Sequence, residues 1–179
     1  MKGPIESHLV VSALGADRPT LVRGLAAAFR DCGCSIKDSR MAVLGSEFAM
    51  VLLLAGQWNA IAKAESMLPK LESELEVSLQ SRRTGPRSDT AGLIPYTVEV
   101  IALDQPGIVH DVTDFFARRE INVEDLISVS YTAPHTGASM FSLHMTVGIP
   151  SDSAIAAVRG EFMDFCDELN LDAMLTPVR

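Results

Sequence analysis

The sequence predicts an α+β chain made of two β-α-β-β-α-β copies in tandem, on three observations. The chain matches itself at a displacement of 87 residues, strand-like and helix-like hydrophobic periods follow one another in the same order in each copy, and a polar stretch with neither period separates the copies.

Residues 8–38, HLVVSALGADRPTLVRGLAAAFRDCGCSIKD, lie on residues 95–125, PYTVEVIALDQPGIVHDVTDFFARREINVED, without a gap. Val11/Val98, Asp17/Asp104, Pro19/Pro106, Val22/Val109, Phe29/Phe116 and Asp38/Asp125 are identical. The displacement then becomes 93, so that SEFAMVLLL (46–54) meets SMFSLHMTV (139–147) and the second copy has the longer hairpin. Leu9, Val11 and Ala13 alternate as one face of a strand, as do Tyr96, Val98, Val100 and Ala102. Leu21, Val22, Leu25 and Phe29, matched by Ile108, Val109, Val112 and Phe116, have helical spacing and predict helices over 19–32 and 106–119. Residues 35–44 with 46–56, and 122–133 with 138–149, read as hairpins turning at Gly45 and at APHTG, 133–137. Second helices follow over 58–74 and 151–168, the latter with Ser151 as its expected N-cap, and last strands over 76–82 and 170–178. This order is the ferredoxin-like plan, a four-stranded antiparallel sheet with two helices on one face. The expected domains are a first module over 1–82, a linker over 83–94 and a second module over 95–179. Met50 to Leu54 are apolar at every position, whereas Phe141, Leu143, Met145 and Val147 alternate with Ser142, His144 and Thr146. The first copy is therefore expected to bury both faces of its sheet, the second only one.

Charge narrows the function. The net charge is −8, and residues 95–179 carry thirteen acidic against four basic side chains, while residues 1–83 carry nine against ten. An acidic chain is a poor match for the phosphate backbone, so direct nucleic-acid binding is not expected. Glu161, Asp164, Asp167 and Glu168 recur at helical spacing and predict an acidic helix face suited to solvent or to a basic partner. No apolar run is long enough to span a membrane and residues 1–12 lack signal-peptide character, which predicts a cytoplasmic protein without membrane partners. Three cysteines, two of them as Cys32-x-Cys34, make no disulfide framework, and no second Cys/His pair accompanies them, so no metal site or cofactor is expected. His110 and Asp114 are placed for a surface pair on one helix face. No nucleophile, phosphate-loop, dinucleotide or acid/base motif occurs, which predicts a protein without catalytic residues.

The loops DRPT (17–20) and DQPG (104–107) join the first strand of each copy to its first helix. Free N–H groups at a helix start suit a carboxylate, and glycine lets backbone approach a ligand; equally, Asp17 and Asp104 could serve as helix caps. With Asp-x-Pro-Gly-Ile-Val at 104–109 and Asn-Val at 122–123, the whole arrangement resembles the ACT family of small-molecule-binding modules. The resemblance implies an amino-acid site at an interface between modules, lined by Asp104, Gln105, Gly107, Ile108 and Asn122, and in the first copy by Asp17, Arg18, Thr20, Leu21 and Ser35. Thr20 departs from the family glycine, and its Cβ is expected to obstruct backbone approach there. A tandem pair with nothing attached further implies an amino-acid-sensing regulator that acts on transcription through a transcription factor protein, with a small amino acid such as glycine as ligand and with a homodimer as a possible assembly. The alternative is a regulatory subunit of an amino-acid biosynthetic enzyme.

Overall fold

The computed structural model describes residues 6–85 and 92–178, which fall into two compact units, Met1–Ser88 and Asp89–Arg179. The first holds β1 (Ser7–Ala16), α1 (Leu21–Asp31), β2 (Ser35–Leu44), β3 (Glu47–Gly56), α2 (Trp58–Leu75) and β4 (Ser78–Thr84). The second holds β5 (Leu93–Leu103), α3 (Ile108–Ala117), β6 (Asn122–Thr132), β7 (Ser139–Pro150), α4 (Ile155–Glu168) and β8 (Asp172–Pro177). Each forms one antiparallel sheet, in the orders β2-β3-β1-β4 and β6-β7-β5-β8. The protein is thus α+β, two ferredoxin-like modules in tandem.

Strand alternation and helix period meet in each core. Leu9, Val11 and Ala13 of β1 and Phe48, Leu52 and Leu54 of β3 are buried beneath Leu21, Leu25 and Phe29 of α1. In the second core Val98 and Val100 of β5 lie with Leu143 and Met145 of β7, and Phe115, Phe116 and Phe162 meet at centroid separations of 5.1–5.2 Å. Edge-to-face and tilted ring contacts of this kind fasten α3 to α4.

Several local expectations are corrected. The first helices begin at Leu21 and Ile108, two residues later than their prolines suggest, so Pro19 and Pro106 precede the N-caps. Helix α4 begins at Ile155 with Ala154 at its N-cap; Ser151 instead donates its N–H to the Gly92 carbonyl at 2.7 Å, joining the end of β7 to the residue before β5. The face of the first sheet opposite its helices carries Val10, Leu14, Val51 and Leu53, but no element of the module covers it: Leu14 is 54% and Val51 47% exposed. Both helices stand on the other side, so within the module β3 has one buried face, and the expected covering of its second face would have to come from domain or subunit packing. The expected linker spans 83–94, but β4 extends to Thr84 and β5 begins at Leu93, and residues 86–91 lie outside those described. Arg82 and Arg83 are paired with Val10 and Leu9 in the β1–β4 ladder. Tryptic cleavage after either arginine is expected only on unfolding of β4, and rapid cutting there in limited proteolysis would contradict the ladder.

Candidate ligand site

The loops 17–20 and 104–107 each open on the same backbone bond. The Asp17 N–H donates to the Ser46 carbonyl at 3.0 Å and the Asp104 N–H to the Ser139 carbonyl at 2.9 Å, tying the end of the first strand to the start of the third. In the second module Ser139 Oγ also lies 3.4 Å from Asp104 Oδ2. Sequence reasoning missed these serines, although the aligned Ser46/Ser139 pair was their signal. Capping by Asp17 or Asp104 does not occur: the N-cap residues are Thr20 and Gly107, neither with a side-chain bond to its helix.

The two loops then diverge. Gly107 has φ 103°, a left-handed conformation that L side chains rarely adopt, whereas Thr20 has φ −93°. In the first module the Leu21 N–H is consumed by the Arg18 carbonyl at 3.2 Å; among the described residues Ile108 makes no corresponding bond to Gln105. Arg18 is engaged elsewhere: its Nη1 donates to Glu76 Oε2 at 2.7 Å and its Nη2 to the Leu75 carbonyl, where a cation favourably meets the C-terminus of α2. Leu21 and Ile108 are buried in their cores, so only their backbone can meet a ligand. Asp104, Gln105 and Gly107 are exposed. A Cβ placed on Gly107 would stand 3.5 Å from Asp111 Oδ2, so a second carboxylate overlooks the loop. Asp111 also holds His110 Nδ1 at 2.9 Å, and that contact raises the histidine pKa above its ordinary value. The pair contributes most when the imidazole is charged, a contribution lost as pH rises through the raised pKa, and its exposure keeps it small. Titration by NMR is expected to show a raised His110 midpoint that falls back in Asp111→Asn.

Asn122 and Ser35 are not brought to their own loops. Asn122 faces Gly148, which faces Pro95, at the opposite end of β5 from Asp104; eight residues of strand separate Pro95 from Leu103, about 25 Å at the usual rise. Ser35 likewise faces Ala55, which faces His8, far from Asp17. Asn122 instead shares a groove with His110, Thr113 and Asp114 along α3. The acidic face of α4 also differs from expectation. Glu161, Asp164 and Glu168 share a groove with Arg118 and Arg119, which follow the end of α3, and Arg119 lies 3.7 Å over the Phe115 ring while donating to Glu161 at 2.6 Å. The face is thus partly neutralised by arginines that chain spacing alone did not place there.

Residues 7–81 match the family model of the ACT domain, and the repeated topology makes the chain a tandem ACT-domain protein. It is 34% identical over 173 residues, 97% of this chain and 91% of the relative, to the glycine cleavage system transcriptional repressor of Escherichia coli (strain K12), and equally to that of Shigella flexneri. The chain belongs to the family of that repressor. Among solved structures it is similar to a protein of unknown function from Galdieria sulphuraria, with TM-score 0.78, 26% identity and coverage of 97% of this chain and 99% of that one. It is also similar to a structure provisionally described as a glycine cleavage system transcriptional repressor, with TM-score 0.74, 27% identity and coverage of 98% and 99%.

Proposed function

We propose that this chain is a cytoplasmic amino-acid-sensing regulator of the glycine cleavage type, without catalytic activity of its own, that controls transcription through contact with a transcription factor protein and not through DNA. The observation that carries the reading is the loop at 104–107. Its left-handed Gly107 leaves the first-turn N–H of Ile108 without the bond formed in the first module, while Asp104 at the start of the loop and Asp111 beside Gly107 supply carboxylates. Such a loop suits a zwitterion, whose carboxylate meets backbone N–H groups at the positive end of α3 and whose ammonium meets an aspartate. A ligand that is only an anion would be repelled by the same aspartates.

Asn122 enters this reading through a second copy of the chain. Since it stands at the far end of its own sheet, a site that uses both the loop and Asn122 takes them from different modules, and a homodimer supplies them. The net charge of −8 supports a protein partner over the phosphate backbone, and the kinship to a repressor supports a role in transcription.

The test is a thermal-shift screen of the amino acids, glycine first, with inorganic phosphate as the anion control. A small α-amino acid is expected to raise the melting temperature and phosphate to leave it unchanged. Stabilisation by phosphate alone, or a shift of operator DNA by the purified chain at physiological salt without a partner, would sink the reading.

A further inference from the structure

Each module leaves one face of its sheet open, and both faces are apolar. In the first, Val10, Leu14, Leu44, Val51 and Leu53 lie on the side away from the helices. In the second, Ile101, Leu103, Ile127, Val129, Tyr131 and Met174 do so, with Leu103 64% and Ile127 63% exposed. Ser142, His144 and Thr146 of β7 share this second face, but β5, β6 and β8 fill the space around them with apolar side chains. Contiguous exposed apolar surface of this kind marks an interaction site.

The two faces differ in charge. Arg40 and Arg82 stand on the first, opposite Val51 and Val10, and among the described residues Arg82 has no carboxylate partner. The carboxylates of that face are Asp38, already held by Arg40 at 2.5 Å, and Glu47 at the start of β3. On the second face stand Glu99, Asp125 and Asp172, and β5, β6, β7 and β8 contain no lysine or arginine. His144 is the one cation-capable side chain there, 3.5 Å from Glu99. Stacking the second face on itself would crowd carboxylates, whereas stacking it on the first sets them against arginines. Shape agrees: where the register of β2 shifts between Ile36 and Asp38, a notch of about 100 Å³ opens among Val10, Arg40, Val51 and Leu53, with room for one aliphatic side chain.

We propose that a second copy of this chain covers both faces, the open face of the first module of one copy packing on the open face of the second module of the other, so that the contact forms twice in a closed pair. Sheets stack in this way with their inner side chains interdigitated. Four strands about 4.8 Å apart and about 30 Å long give one face roughly 550 Å², short of the about 800 Å² per partner of a stable interface; two faces per copy exceed it. Contact between unlike faces either closes on itself or propagates, and the second contact is what favours closure. The pairing does not depend on the amino acid, although it provides a second copy of the kind the ligand reading uses.

The experiment is sedimentation of the full chain over a concentration series, without any amino acid. Twice the chain mass is expected, dissociating on dilution. Val51→Glu, which sets a carboxylate against the acidic face, and Ile127→Lys, which sets a cation against the arginines, should each weaken the pair by at least about tenfold. Val51→Lys and Ile127→Glu remove the same apolar surface but meet opposite charge, so each should weaken it less. Met41→Lys, on the helix side of β2 and 52% exposed, should leave it intact. These positions are exposed, and circular dichroism checks each fold. A monomer at every concentration, a mass that grows without limit, association indifferent to Val51 and Ile127, or the same order of charges at both positions would overturn the pairing. A pair that obeys these charges while no amino acid shifts its melting would leave the contact standing and the ligand reading fallen; a monomer that an amino acid stabilises would do the reverse.

Discussion

Phe116→Ala is expected to lower the stability of the second module by about 3–5 kcal/mol, the usual cost of deleting a buried aromatic ring. Phe116 is fully buried and meets Phe115 edge-on at 5.2 Å and Phe162 at 5.1 Å, so its removal leaves a cavity between α3 and α4 and loosens both from the sheet. Each module carries its own core, with Phe29 in the place of Phe116 in the first. Urea unfolding followed by hydrogen exchange is therefore expected to show the loss in 92–178 while amides of 6–85 keep their protection. A loss below about 1 kcal/mol would mean the ring is not the keystone its burial indicates, and equal loss in both halves would mean that their cores do not unfold separately.

Gly107→Val is expected to have the largest effect on ligand binding and a stability cost of about 1–3 kcal/mol, from forcing a β-branched residue into a left-handed conformation. Crowding is not the cause. The added Cβ would meet only Asp111 Oδ2 at 3.5 Å, an ordinary contact, whereas φ 103° is a strained backbone for valine. The chain is expected to relieve the strain by adopting the geometry of Thr20, redirecting the first-turn N–H groups and weakening amino-acid affinity by at least about tenfold. Gly107→Ala should fall between the two, and Thr20→Gly should confer no binding, because Arg18 and the Leu21 N–H remain occupied. Calorimetry in which Gly107→Val binds the amino acid as the unmutated chain does would place the site elsewhere.

The sequence was most legible where chemistry repeats at short range. Alternation in Leu9, Val11 and Ala13 and the i, i+4, i+8 spacing of Leu21, Leu25 and Phe29 state which face is buried without reference to the rest of the chain, since solvent exclusion acts residue by residue. The 87-residue displacement doubled each of those signals, so the modules, their order and the two loops are legible in the chain itself. Helix starts were less legible: Pro19 and Pro106 fit a first turn, but the chain spends two more residues turning before the first helical residue.

Tertiary structure decided what brings distant residues together. Nothing local distinguishes an Asn122 that joins its own loop from one about 25 Å away; the register of β6 on β7 and of β7 on β5 sets that distance. Met67 meeting Cys32, Arg119 neutralising Glu161, and Arg18 bound to the end of α2 join residues 35, 42 and 57 or 58 positions apart, and such meetings follow from helix packing over the sheet. The sequence by itself determined two ferredoxin-like modules and the loop in which a glycine is free to turn, because hydrophobic period and backbone preference are properties of neighbouring residues. Folding alone decided which charges are already partnered and at which end of the sheet Asn122 stands, because side chains remote in sequence meet only after the chain has folded.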